Sequence, residues 1–120
     1  MPTYKKLIRN KIPQIIKTNG KTPTTRILNE DEYIKELCKK TEEELTEYLE
    51  ATTKEHKFEE LSDLLELINA LAEHEGTTLE EINNIRKKKA EERGGFQNRV
   101  FRIKLTANKP LPYPYKAPTK

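Results

Sequence analysis

The sequence has no tryptophan, one cysteine, one methionine, four glycines and three phenylalanines, and only 33% of its 120 residues are apolar. The single thiol, Cys38, excludes an intramolecular disulfide and a cysteine-built zinc site and points to a reducing compartment, the cytoplasm. Cys38 itself is expected to pack in the core as a small apolar group. No stretch approaches the roughly 18–20 consecutive apolar residues of a membrane span, and Lys5 and Lys6 are not followed by the apolar region of a secretory signal. With so few bulky aromatics, Leu, Ile and Tyr must build the interior, which makes a lean core for one domain and leaves no room for two. A small helical monomer built this way is marginal, so a homodimer or higher homo-oligomer is expected.

Charge is abundant, at 36% of residues, and unevenly spread. Residues 1–28 carry seven basic and no acidic groups, residues 29–75 five and sixteen, and residues 76–120 eleven and four, giving +7, −11 and +7. A uniformly basic chain would suggest nucleic acid. An acidic centre between basic ends suggests instead a metal and a compact anion held together.

The apolar periodicity is helical. Residues 10–20 read as a short helix, with Asn10 as its cap, Pro13 early and Gly20 as its stop. Asn29 with Glu32 three residues on resembles a capping box, opening a long helix to about Ala51. Steps of 100° place Ile34, Leu37, Cys38, Thr41, Leu45, Tyr48 and Leu49 in one arc of about 120°, expected to face the core. From Lys54 a second long helix carries Phe58, Leu61, Leu64, Leu65, Leu67, Ile68, Leu71 and Ala72 up to Gly76, and the two are expected to form an antiparallel hairpin. Thr78 and Glu81 open a fourth helix with Leu79, Ile82 and Ile85 that stops at Gly94 and Gly95. Residues 24–28 and 96–105 have the loose alternation of short strands and are expected to pair, with Phe96 buried. The fold class is thus all-α, an antiparallel bundle of about four helices over residues 1–106 with a short two-stranded β element. Residues 107–120 form an extended tail whose four prolines exclude a helix.

Four carboxylates stand out. Glu44 and Glu47 lie three apart on one flank of the first long helix, and Glu60 and Asp63 repeat that offset on the second. One such pair ordinarily marks a solvated helix face. Glu60, however, falls inside the apolar arc of its helix between Leu64, Leu67 and Leu71, with Asp63 at the edge, and Glu44 borders the arc of the other. Burying these groups unpaired costs several kcal/mol each unless a cation compensates them. An all-oxygen donor set favours Mg²⁺, with Mn²⁺ as the alternative. A ferritin-like di-iron centre needs Glu-x-x-His, whereas His56 and His74 follow Thr53 and Leu71 at that offset, so both histidines read as surface residues.

These residues resemble the MazG-like all-α nucleoside triphosphate pyrophosphohydrolases, which are related to phosphoribosyl-ATP pyrophosphohydrolase. Glu43-Glu44-x-x-Glu47, twelve residues, then Glu60-x-x-Asp63 is similar to the family's E-E-x-x-E and E-x-x-D signature. KLIRNKIPQII at residues 6–16 and KAEERGGF at residues 89–96 are similar to the opening and closing motifs of one small-protein branch, with Asn10 and Gln14 where that branch has Asp and Glu. The resemblance implies Mg²⁺-dependent cleavage between the α and β phosphates of a nucleoside triphosphate, giving monophosphate and pyrophosphate. It also implies Glu44, Glu47, Glu60 and Asp63 as metal ligands and Glu44 or Glu47 as the group that takes the proton from the attacking water. Glu43 is open between a solvated acid and a water-orienting role. Arg9, Lys11, Lys89 and Arg93 are the candidate triphosphate contacts; the last two are four apart, on one helix face. The partner expected is therefore a nucleoside triphosphate or related small nucleotide, with no membrane and no nucleic acid. The competing reading is a non-catalytic helical module that binds a nucleotide, a nucleic acid or a protein through the basic ends and the proline-rich tail.

Overall fold

The computed structural model describes residues 5–108. The tail at residues 109–120 lies outside the described residues, so the structure does not bear on that part of the expected domain boundary. Four helices follow one another, α1 (Ile12–Thr18), α2 (Glu30–Glu50), α3 (Lys54–His74) and α4 (Leu79–Arg93).

The helix ends show why these boundaries form. α1 begins one residue later than the sequence suggests: Lys11 occupies the cap position without a side-chain bond, and Pro13 lies in the first turn, where a missing N–H costs nothing. At the start of α2 the Asn29 side chain accepts from the Glu32 N–H at 2.9 Å while Glu32 accepts from the Asn29 N–H at 3.4 Å, a complete capping box. Arg26 fastens the preceding loop to the same Glu32 through two bonds of 2.7 and 3.2 Å. That guanidinium holds the Glu32 carboxyl below its ordinary range, with the Asn29 N–H adding to the effect. Thr53 caps α3 by accepting from the His56 N–H, and Thr78 caps α4 by accepting from the Glu81 N–H. α3 closes with a Schellman turn, in which the Thr77 N–H reaches the Ala72 carbonyl and the Gly76 N–H reaches the Glu73 carbonyl; Gly76 takes φ +81°, open to glycine at little cost.

A link of only three residues, 51–53, returns α3 along α2, so the two long helices form the expected antiparallel hairpin. α2 packs on α3 and α4 packs on α3; among the described residues, α1 and α4 make no packing against α2. The seam is narrow: Leu37, Ala51, Leu67 and Ala72 are its buried apolar residues, and Glu44 and Glu60 are buried with them. Lys57 ties the turn end of the hairpin by donating to the Tyr48 carbonyl at 2.9 Å, its ammonium also lying 4.5 Å from the Tyr48 ring centre. Tyr33 meets His74 edge-on at 6.3 Å at the other end.

Three expectations are corrected. No strand occurs among the described residues: residues 24–28 and 96–105 are not paired, and Ile27, Phe96, Val100 and Phe101 are almost fully exposed. A two-stranded ribbon needs a packed face or further strands to persist in water, and neither segment has one here. Phe96 is accordingly not buried, and the chain turns directly after it, the Arg99 N–H reaching the Phe96 carbonyl with Arg99 at φ +59°. Cys38 is exposed rather than packed. It shares this fate with Leu45 and Leu49, because a single partner helix covers only half of the α2 arc, and the half bearing Cys38, Leu45 and Leu49 faces outward.

Candidate metal centre

Glu44 lies on α2 at nearly the same angle as Leu37, and Glu60 lies on α3 beside Leu67, so the packing that buries the two leucines also buries the two carboxylates. The hairpin thereby brings Glu44, Glu47 and Glu60 together, with one oxygen from each lying within 4.8 Å of the others. Glu47, three residues after Glu44, sits on the half-exposed rim.

The outer oxygens have partners. Glu44 Oε1 is 4.0 Å from Lys40 Nζ, and Glu60 Oε1 is 3.2 Å from His56 Nε2. Glu44 Oε2 and Glu60 Oε2 are buried and receive no hydrogen bond from any fixed donor of the described protein. Such groups are costly unless a proton or a cation serves them. Without a cation the pair shares a proton. Burial, reinforced by the neighbouring Glu60 and Glu47 carboxylates, pushes Glu44 up to about 8. The proton that Glu44 retains holds Glu60 below its ordinary value, overcoming the opposing effect of burial. Three convergent carboxylates with two unserved oxygens fit a hard divalent cation in donor chemistry and in number, the remaining positions being left to water or a ligand oxygen.

Asp63 is placed differently from the expectation. It is on the same flank as His56 and Glu60, but outside the three-carboxylate group, and it accepts a 2.7 Å bond from Arg9 Nη2. A metal ligand and a phosphate contact expected from the sequence thus meet each other, pinning the segment before α1 beside the centre. Lys11, at the cap of α1, is exposed. Lys89 and Arg93 lie on the exposed last turns of α4, a helix that packs on α3 and not on α2. Glu43 is exposed. Lys40 and His56 were not singled out in the sequence, although a signal exists: each stands four residues before a buried glutamate and therefore on the same helix face. His56 is a surface residue as expected, but one whose ring nitrogen meets the centre.

No helix among the described residues is long and apolar enough to cross a membrane. No family model matches the chain, and no solved structure matches it. Over 53 residues the chain is 40% identical to an uncharacterized protein of Mycolicibacterium smegmatis, a match that covers 44% of this chain and 54% of that one. The chain thus spans about half the length of the curated relative to which it is similar.

Proposed function

We propose that this chain is a cytoplasmic, Mg²⁺-dependent nucleoside triphosphate pyrophosphohydrolase of the MazG-like kind, acting in nucleotide-pool control. The observation that carries this reading is the pair of buried, unserved oxygens, Glu44 Oε2 and Glu60 Oε2, in a three-glutamate cluster that two helices build together. A solvated acidic face has no reason to bury them.

Glu44, Glu47 and Glu60 would hold the cation, with Asp63 beside them. A bound Mg²⁺ neutralises phosphate oxygens and lowers the pKa of water. The protein's own groups do the rest. Glu47, the most exposed of the three, is open to a substrate water and is the better placed of the two expected proton acceptors, Glu44 being deeply buried. Arg9, already at the edge of the centre, has a planar guanidinium that can leave Asp63 for a phosphate and bind it bidentately. Lys40 adds positive charge on the same side, and the His56 ring nitrogen offers a polar contact there. Lys11, Lys89 and Arg93 stay as candidate phosphate contacts on the basic arms.

Purified full-length protein with Mg²⁺ is expected to release pyrophosphate, and not orthophosphate, from at least one member of a panel of standard and modified nucleoside triphosphates. Glu60→Gln should lower that turnover at least about a hundredfold while circular dichroism shows unchanged helix content. Inactivity across the panel, or a variant within threefold of the parent, overturns the assignment.

A further inference from the structure

His56 differs from an ordinary surface residue of α3. Thr53 accepts from the His56 N–H at 3.2 Å, so the cap that starts the helix also fixes where His56 sits. Side chains of an α-helix lean toward its N-terminus, and Glu60, one turn later, therefore leans back toward His56. The two meet, with His56 Nε2 3.2 Å from Glu60 Oε1. The imidazole is 51% exposed and the carboxylate only 8%, so the ring reaches from the rim to a group that water hardly touches. A pair at this spacing with both members exposed joins two wet side chains and contributes little. This one fastens a buried acid.

The direction of the bond follows from the acid. Glu60 is held below its ordinary value and is ionised at neutral pH, so its oxygens only accept and the ring donates through Nε2–H. A glutamate side chain is freely jointed, and clustered carboxylates drive one another apart unless something holds them. With Oε1 taken by the ring, Oε2 of Glu60 stays buried and receives no hydrogen bond, and one Glu60 oxygen lies within 4.8 Å of an oxygen from Glu44 and one from Glu47. Lys40, at the same spacing before Glu44, does less: its Nζ is 4.0 Å from Glu44 Oε1, beyond hydrogen-bond length, and sits on a longer, more flexible stem.

We propose that His56 is a positioning residue for the cation centre: its Nε2–H holds Oε1 of Glu60 and leaves Oε2 to the cation that Glu44 and Glu47 share. The inference rests on the cation reading above and adds to it a residue that is not among the three carboxylates. His56 acts through Glu60 and is not itself a ligand, its ring lying outside the group of convergent donors. Loss of such a partner to a ligating side chain costs about ten- to a hundredfold in metal affinity.

The test is Mn²⁺ binding to the metal-free full chain, followed by the free-ion signal in electron paramagnetic resonance. The parent is expected to bind, and His56→Ala to raise the dissociation constant at least about tenfold with helix content unchanged by circular dichroism. His56→Gln, whose amide Nε2 carries an N–H donor and no charge, should return to within about threefold of the parent. His56→Leu, which keeps bulk and removes the donor, takes the place of His56→Ala should that variant lose helix content. The spin-echo modulation of bound Mn²⁺ should lack the nitrogen coupling of a directly bonded imidazole. That coupling, if present, overturns the proposal, because His56 would then be a ligand. His56→Gln as weak as His56→Ala overturns it too, since bulk or charge and not the N–H would matter. A parent that binds Mn²⁺ with the donor-free variant within about twofold of it overturns the positioning role alone. A parent that binds no Mn²⁺ overturns the cation reading itself, and the positioning role with it.

Discussion

The seam between α2 and α3 holds Glu44 and Glu60 at a depth where one oxygen of each has no donor but a carboxyl proton. Folded Glu44 keeps that proton up to about pH 8, while the unfolded residue releases it near 4.5. The metal-free fold therefore binds an extra proton throughout that window and loses stability as pH rises across it, with no further loss above about 8. Glu60, held below its ordinary value, acts in the opposite sense, and its contribution is lost only as pH falls through the acidic range. A divalent cation seated on these oxygens must displace the shared proton. Titration calorimetry with Mg²⁺ or Mn²⁺ at about pH 7, in buffers of different ionisation enthalpy, is expected to show about one proton released per cation. Glu44→Gln should abolish that release. Cation binding without proton release would place the ion elsewhere. The 2.7 Å bond between Arg9 and Asp63 joins two exposed side chains, and a bond between groups so wet contributes little to stability. Its importance is positional.

Among the elements, each of the last three helices begins with a side-chain cap, and the one at α2 is reciprocal. Removing the Asn29 side chain leaves the Glu32 N–H without its acceptor at the start of the helix that carries Glu44 and Glu47. Asn29→Ala is expected to lower stability by about 1 kcal/mol, read as a shift in the urea midpoint at unchanged slope. Unchanged stability would mean that Arg26 alone fixes this end. The helix starts were legible in the sequence because capping is local: Asn29, Thr53 and Thr78 each meet an N–H three residues away. The strand pairing expected of residues 24–28 and 96–105 was not legible in the same way. Alternating side chains describe a strand only when another element offers a face to pack on, and neither segment meets one in the single chain.

For the whole molecule, the three-carboxylate cluster exists only when two helices meet, so a cation bound there would be coupled to folding. An ion that binds the folded chain alone should stabilise it by about 2.7 kcal/mol when its concentration is a hundred times the dissociation constant. Thermal melts should show a rising midpoint with added Mg²⁺ or Mn²⁺ in the parent chain and none in Glu60→Gln. An equal rise in both would remove Glu60 from the centre.

The sequence by itself determined the four helices, their caps and stops, the hairpin, and the unusual position of Glu60 inside an apolar arc. All of these are set by spacings within a few residues of one another, and a helix converts such spacings directly into angles. Of the four carboxylates that the sequence singles out, Glu44, Glu47 and Glu60 come together in the structure. Only the tertiary structure decided which half of each apolar arc gained a partner, leaving Leu45, Leu49 and Cys38 outside and burying Leu37 and Glu44. Only it gave Asp63 to Arg9, 54 positions away, and added Lys40 and His56 to the centre. A helix fixes where its side chains point relative to one another, but burial is a relation between elements, and the approach of the second helix selects which of those directions loses its water.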